Sequence, residues 1–436
     1  MTAHRILFGL LTPGLGGHTR TAVAIAEVLR DRGHAIDFAV SASPGSARAD
    51  GSAATTTLIR AAGFPVVLIA GVYALPFQQS FRRRLRDLVR QTPYDALHWF
   101  ELHAGVRDAA IVAARERRAF VWTVTSGGVP SGYYGLPRVV VFTKEVAEDA
   151  RRRSPRTVVH VLPARIDLRS LTPDVVEAAR HEIRSRLAID DRELLVVRVA
   201  RCSSVYLRSV HWGLALAERL VREGRPARFL HAGYVEDPGV ADEIRRLVDQ
   251  ANRSAGRTVA WSVTDDVEAG TRYLAAADVC IGSGRSAIES VALERPTLVA
   301  WGSRFPGIVD AENIEQMADT NFQGRNTERI VSDDEVVGRM RDAVSRRFDE
   351  PDRGAAIQMD AARFVRSQYS VESAAEVYEH LYFDRTMTVD GALEYYANLR
   401  HLGRELYHRL PLNVRAGRTV SALRRAKLWP GLQRLE

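Results

Sequence analysis

The sequence predicts an α/β protein: two doubly wound, Rossmann-like domains facing a central cleft, followed by a helical C-terminal extension. Three observations predict it. Short apolar runs alternate with helix-period stretches from Arg5 to Trp301, the pattern of parallel sheets covered by helices. The series starts afresh after Pro163. The chain has 436 residues, enough for two or three domains.

Arg5–Leu11 is a short apolar run that ends in the Gly14–Gly17 turn. His18–Arg32 places Ala22, Ile25, Ala26 and Leu29 at helical spacing, and Gly33 reads as its stop. Ala35–Val40 completes a strand, glycine turn, helix, strand opening. Val66–Ile69, Ala96–Trp99, Ala119–Val124, Val139–Phe142 and Val158–Leu162 are further strands, with helices at Gln79–Arg90 and Val106–Arg117. The second series has strands at Glu193–Ala200, Ala227–Ala232, Thr258–Val263, Asp278–Ile281 and Thr297–Trp301. Its helices are His211–Glu223, Val240–Asn252, Val267–Ala276 and Ala287–Leu293, and two more follow at Asp360–Tyr369 and Ser373–Tyr382. The domains expected are 1–165, 166–370 and a C-terminal region 371–436 of helices and basic tail. Two such sheets in tandem place ligands at the carboxyl ends of their strands, in the cleft.

Composition excludes several classes. With 46% hydrophobic and 26% charged residues the chain is neither disordered nor fibrous. Two cysteines, Cys202 and Cys280, make no disulfide framework and point to free thiols in a reducing, cytoplasmic compartment. The longest apolar stretch, Phe64–Phe77, is 14 residues with two prolines, too short to span a bilayer. Ile6–Leu11 runs into a Gly-rich turn rather than a cleavage site, so it reads as a strand and not a signal peptide. The scarcity of lysine, Lys144 and Lys427 alone, hints at a high-GC bacterium. Neither lysine stands in a Gly-x-x-x-x-Gly-Lys-Ser/Thr setting, so a P-loop is excluded.

The net charge of +8 is concentrated. Phe77–Thr92 contributes +4, Thr386–Glu436 contributes +5, and the remainder sums to −1. Phe77, Phe81, Leu85, Leu88 and Val89 make the first segment a basic amphipathic helix. It is either a solvated helix with a core stripe or a contact for an anionic membrane surface or acidic acceptor. The tail over residues 386–436 reads likewise, with Trp429 as an interfacial anchor, so the expected location is cytoplasmic with peripheral contact at the inner membrane face. Neither segment carries the aromatic series of a nucleic-acid platform.

The sharpest signal is Asp278-Val279-Cys280-Ile281-Gly282-Ser283-Gly284-Arg285-Ser286 running into a helix with Glu289 and ending at Pro296. A strand, a glycine turn and a helix start offer free N–H groups to phosphate oxygens. A carboxylate a turn inside the helix can accept both hydroxyls of a ribose. This segment resembles the donor-binding segment of GT-B glycosyltransferases, particularly the retaining family 4. There a strand ends in "aDv…pS" and a helix reads "E-A-x-A-x-G-x-P-V"; Glu289, Ala292 and Pro296 match the second glutamate, the alanine and the proline. Gly14, Gly16 and Gly17 match that family's N-terminal Gly-rich loop, and Asp95 and His98 its "D-x-x-H". Leu162–Asp167 resembles "I-P-N-G-V-D", and Arg198-Val199-Ala200-Arg201 resembles the "x-G-R" whose arginine binds the diphosphate. The resemblance spans most of the chain. It departs at Ile281, where the family's first glutamate would stand. It departs also where the phosphate lysine is replaced by Tyr206 and Leu207 with Arg208 nearby, and at Thr125 in place of a histidine.

Each candidate site residue has a plainer alternative. Glu289 contacts ribose or complements the helix dipole. Arg201 and Arg208 contact phosphate or remain surface arginines. Gly284, Arg285 and Ser286 contact the diphosphate or the sugar. Gly16 and Gly17 admit a ligand to the backbone or are turn glycines. His18 contacts ligand or caps a helix. His98, Glu101, His103 and Thr125 end strands that face an acceptor, or are polar loop residues; Glu101 and His98 are the catalytic candidates, Glu101 as a base on the acceptor hydroxyl. Asn321–Arg325 reads as a turn.

Other chemistries fail. Ile288 replaces the last glycine of a nucleophile elbow, His181-Glu182 lacks a zincin's second histidine, and there is no Cys-x-x-Cys. No Asp-x-Asp occurs, so the expectation is a metal-independent transferase without cofactor, its leaving diphosphate stabilised by Arg201 and a helix start. The resemblance implies transfer from a nucleotide-diphosphate sugar, UDP-linked in the first instance, to an acceptor hydroxyl with retention. The acceptor classes are a natural-product aglycone or a lipid-linked envelope glycan precursor. A nucleotide-sugar 2-epimerase and a non-catalytic nucleotide-sugar binder are the rivals.

Overall fold

The computed structural model describes residues 3–10, 16–42, 49–70, 79–100, 104–125, 136, 138–153, 155, 157–169, 171–264, 270–329 and 332–383. Glu101, His103, Gly14, Phe77 and the tail from Thr386 lie outside the described residues. The chain divides into two units, one of Met1–Leu162 joined by the chain from Ala375, the other of Pro163–Ala374.

The first unit is built on strands β1 (Arg5–Leu10), β2 (Ala35–Ala42), β3 (Val66–Ala70), β4 (Ala96–Phe100), β5 (Ala119–Val124), β6 (Arg138–Val141) and β7 (Val158–Val161). They form one sheet in the order β3-β2-β1-β4-β5-β6-β7, with every neighbour parallel. The connecting helices are α1 (Gly17–Asp31), α2 (Ala49–Ala61), α3 (Gln79–Gln91), α4 (Ala104–Arg115) and α5 (Lys144–Arg153). Strands covered on both faces are mostly apolar, as in the fully buried Ala96–Phe100, where His98 is the one polar residue. On α1, Ala22, Ile25, Ala26 and Leu29 are buried on one face, as their spacing requires. Gly9 pairs in register with Trp99, and a Cβ there would lie 2.2 Å from the indole, so only glycine admits that ring.

The second unit repeats the plan with β8 (Leu194–Val199), β9 (Ala227–Ala232), β10 (Ala260–Val263), β11 (Val279–Gly282), β12 (Thr297–Trp301) and β13 (Arg304–Ile308). The order is β10-β9-β8-β11-β12-β13, parallel except for the β12–β13 hairpin. Its helices are α6 (Pro173–Arg186), α7 (Ser204–Arg222), α8 (Pro238–Ala255), α9 (Gly270–Ala276), α10 (Arg285–Ala292), α11 (Ile314–Ala318), α12 (Asp333–Asp349) and α13 (Pro351–Tyr369). In both sheets the strand order reverses beside the first strand, at β1/β4 and at β8/β11. Such a switch point leaves a crevice at the carboxyl ends of the strands.

A last helix, α14 (Glu372–Phe383), crosses the division, and from Ala375 it belongs to the first unit. Tyr378, Leu381 and Tyr382 are buried there. Glu379 accepts from Arg32 Nε at 2.8 Å and lies 3.0 Å from His34 Nε2, and Phe383 stacks on His4 with ring centroids 3.7 Å apart. Arg138 donates to the Leu381 carbonyl. The chain thus returns to the first unit, where the sequence suggested a separate C-terminal region.

Both cysteines are free and buried, and burial pushes the Cys202 and Cys280 thiols up to about 11 and about 12. They are poor nucleophiles at neutral pH. Among the described residues no helix is long and apolar enough to cross a membrane.

Candidate functional site

The site is built at the β8/β11 switch point of the second unit. Strand β8 reads Leu-Leu-Val-Val-Arg-Val, and Arg198 lies in it with no exposure to solvent. Its guanidinium donates from Nε to Ser209 Oγ at 2.9 Å. From Nη1 it donates to the carbonyls of Val199 at 3.2 Å and Ile281 at 3.1 Å, and Nη2 lies 3.4 Å from Ser283 Oγ. Among the described residues no carboxylate pairs with it, and burial pushes it down to about 10. A buried cation without a counter-charge is costly. This one is held by hydroxyls and carbonyls directly under the turn that opens α10.

That turn is shaped for close approach. A Cβ on Gly282 would lie 2.7 Å from Ala287 Cα, so glycine lets α10 start against the strand end. Gly284 adopts φ 56° as N-cap and brings no side-chain cap to the first N–H groups of α10. Its own N–H donates to the Phe322 carbonyl at 2.9 Å. Asn321 and Phe322 both have positive φ, 53° and 56°, a strained pair held by the fully buried Phe322 ring against Tyr369. The 321–325 turn therefore supports Gly284 from below. Ser286 Oγ accepts from Ser283 N and donates to Ser283 O, both at 3.2 Å, fixing the turn internally.

Glu289 lies one turn into α10 and is buried. Its carboxylate accepts from Arg285 Nε at 2.6 Å and from Thr271 Oγ1 on α9 at 3.1 Å. Arg285 Nη1 also donates to the Arg165 carbonyl at 2.8 Å. The ribose candidate is thus engaged by a neighbouring arginine and a threonine.

Arg201 follows β8 and is more exposed, paired with Glu236 at 3.0 Å. Arg198 and Arg201 both lie over the Tyr206 ring, 5.2 and 5.7 Å from its centroid, so one aromatic ring contacts both the buried and the accessible cation. A Cβ on Gly233 would stand 1.8 Å from the Ala200 carbonyl oxygen, which shows how tightly the ends of β8 and β9 are drawn together here. Arg208 stands apart from this group: its Nε pairs with Asp333 at 2.7 Å, an oxygen it shares with Trp212 Nε1 at 2.6 Å.

In the first unit Gly16 is the N-cap of α1 and Gly17 its first residue. A Cβ on Gly16 would lie 2.4 Å from the His18 ring, so the imidazole folds over that glycine. Thr125 follows the carboxyl end of β5. His98 is different. It is fully buried on β4, its Nδ1 lies 2.6 Å from Tyr382 Oη, and its Nε2 lies 2.7 Å from Thr123 Oγ1. Burial holds its imidazole well below the ordinary range, so it is neutral. The geometry gives it the role of tying α14 to the sheet, with both ring nitrogens engaged away from solvent.

Sequence reasoning named Arg201 and passed over Arg198, Ser283 and Tyr206. The signal was an arginine inside an apolar parallel strand, where neither face is solvated. Asp278, the acid of the "aDv" pattern, is held at the opposite end of β11 by Arg180 at 2.6 Å and Arg184 at 2.9 Å, a structural ion cluster. Among the described residues no group of three or more His, Cys, Asp or Glu is gathered to hold a metal ion.

No family model and no curated protein sequence matches the chain. Solved structures do. A glycosyltransferase from Rickettsia africae matches with a TM-score of 0.64 at 13% identity, covering 88% of this chain and 99% of that one. HepE from Anabaena, in complex with UDP and glucose, matches at 0.61 and 14% identity over 86% of this chain and 98% of that one. UDP-GlcNAc 2-epimerase from Neisseria meningitidis, bound to UDP-GlcNAc, matches at 0.52 and 12% identity over 87% of this chain and 100% of that one. At such identities the likeness concerns the fold, which is GT-B: two parallel-dominated α/β units with a helical C-terminal part.

Proposed function

We propose that this chain is a glycosyltransferase that moves a sugar from a nucleotide-diphosphate sugar to an acceptor hydroxyl, without a metal and with retention of configuration. The observation that carries the reading is Arg198, a fully buried cation with no carboxylate partner among the described residues, placed under the uncapped start of α10 at a sheet switch point. A diphosphate is the ligand that supplies the missing charge. Arg201 and the first N–H groups of α10 take the charge that develops on the departing diphosphate, each charge-assisted contact worth ~1.5–3 kcal/mol. Glu289 accepts the ribose hydroxyls, exchanging its Arg285 partner for them. Gly284, Arg285 and Ser286 line the diphosphate and sugar side. The first unit takes the acceptor, a small aglycone or a lipid-linked glycan precursor, near Gly16, Gly17, His18 and Thr125, with Glu101 as base. His98 positions structure and transfers no proton.

UDP-sugars come first as donors because HepE is complexed with UDP and the epimerase with UDP-GlcNAc. The test is a thermal-shift panel of nucleotide diphosphates and their sugars, followed by diphosphate release with and without acceptors. A shift by one nucleotide family and acceptor-dependent release supports the proposal. The epimerase fold match sustains one rival reading. Acceptor-independent release of a free epimer selects that rival, and binding without either product selects a non-catalytic binder.

A further inference from the structure

A basic groove lies on the first unit. Helix α3 buries Phe81, Leu85 and Val89 against the sheet and packs beside α4. A groove of about 290 Å³ runs along this helix pair, lined by Arg82, Arg83, Arg86, Ile111, Val112 and Arg115. Two ion pairs tie α3 to α4 and to the residue that follows it. Arg82 Nε lies 3.1 Å from the buried Asp108, and Arg90 Nη2 lies 2.9 Å from Glu116. Arg83, Arg86 and Arg115 have no ion-pair partner among the described residues, and Arg86 Nε is shielded from solvent with no hydrogen-bond acceptor. Three uncompensated guanidinium groups facing one groove repel each other, and a shielded N–H without an acceptor costs free energy. Both terms are relieved by one compact anion rich in acceptor oxygens.

We propose that this groove is a binding site for a phosphate or diphosphate group. Planar guanidinium forks match phosphate oxygens two at a time. The apolar floor of Ile111 and Val112 accommodates the carbon part of the ligand. The helices start at the carboxyl ends of the strands and run back along the sheet, and Arg115 is the last residue of α4. The groove therefore runs down the helical flank, from Arg82 and Arg83 in the opening turns of α3 to Arg115 at the end of α4. The phosphate belongs either to a soluble phosphorylated compound or to an anionic lipid headgroup, and the experiment separates the two.

The full chain is titrated with inorganic pyrophosphate by calorimetry. It is also pelleted with phosphatidylcholine vesicles with and without phosphatidic acid. Wild type is compared with the double variant Arg86→Gln/Arg115→Gln, and with Arg83→Gln/Arg115→Gln, which leaves the half-buried Arg86 in place should the first fold poorly. Repeating the titration in Arg198→Met removes the contribution of the other anion seat. A fall of about tenfold or more in pyrophosphate affinity in the double variants establishes the site with a soluble source. Loss of phosphatidic-acid-dependent pelleting alone establishes it with a lipid source. The tail beyond residue 386 is the same in all variants and cancels. Binding of both probes at wild-type strength in the variants, or no binding of either by wild type, overturns the proposal.

Discussion

Replacing Arg198 by Met separates the cost of a buried cation from its use. The side chain is fully buried and burial pushes its guanidinium down to about 10. Relative to its ordinary 12.5, that corresponds to roughly 3 kcal/mol spent on keeping the charge in place. Methionine fills a similar volume and removes that cost, but forfeits the bonds to Ser209, Val199, Ile281 and Ser283. The two effects oppose each other, so the unfolding free energy should change by less than about 2 kcal/mol. Affinity should respond differently. The attraction of this buried charge for a phosphate seated above it is set at the scale of one charge-assisted interaction, ~1.5–3 kcal/mol, or about ten- to 150-fold in Kd. Calorimetry with a nucleoside and its diphosphate reads this directly: the diphosphate weakens and the nucleoside does not. Equal weakening of both, or an unchanged diphosphate Kd in a folded Arg198→Met protein, would refute the reasoning.

Three further outcomes are expected. Glu289→Gln keeps a hydrogen-bonding group beside Thr271 but gives up the charge that holds Arg285; nucleoside and diphosphate should both weaken, by about tenfold, in the same calorimetric pair. Gly233→Ala places a methyl group 1.8 Å from the Ala200 carbonyl oxygen, so urea unfolding should show a loss above about 3 kcal/mol, and a loss below 1 kcal/mol would mean the strand ends yield easily. Acid should destabilise the fold through its buried histidines. Burial, then the charge of Arg198, pushes His231 down to about 4 from 6.5. The unfolded chain therefore holds more protons between those values, and stability is full above 6.5 and declines by up to roughly 3 kcal/mol as pH falls through that window. His98, also lowered by burial, acts in the same direction. His231→Gln should flatten the pH dependence of urea unfolding, and an unchanged slope would assign it to other groups.

The repeat of strand and helix was legible because buried parallel strands are short and apolar, as in Ala119–Val124 and Ala227–Ala232, which the structure reproduces residue for residue. Helices with few apolar residues were not. On α5, Lys-Glu-Val-Ala-Glu-Asp-Ala-Arg-Arg-Arg buries only Val146, Ala147 and Ala150, too thin a stripe to stand out. Helix α12 carries a sequence-visible start, with Ser332 accepting from Glu335 N and three acids in the first turn, yet its apolar face is broken by arginines. The return of α14 to the first unit was invisible because it rests on long-range partners such as Tyr382–His98 and Glu379–Arg32. The same holds at the site. The turn from Gly282 to Ser286 and the carboxylate at Glu289 could be read from local pattern. The pairing of Arg198 with Ile281 and Ser283 could not, since it depends on β8 lying beside β11.

The most direct measurement is a crystal structure of the chain with the nucleotide diphosphate that gives the largest thermal shift. The account predicts its phosphates at the start of α10, over Arg198 and Arg201, with the ribose on Glu289 and Arg285 displaced from that carboxylate. Density for the nucleotide elsewhere, with the Arg285–Glu289 pair intact and nothing over Arg198, would contradict it.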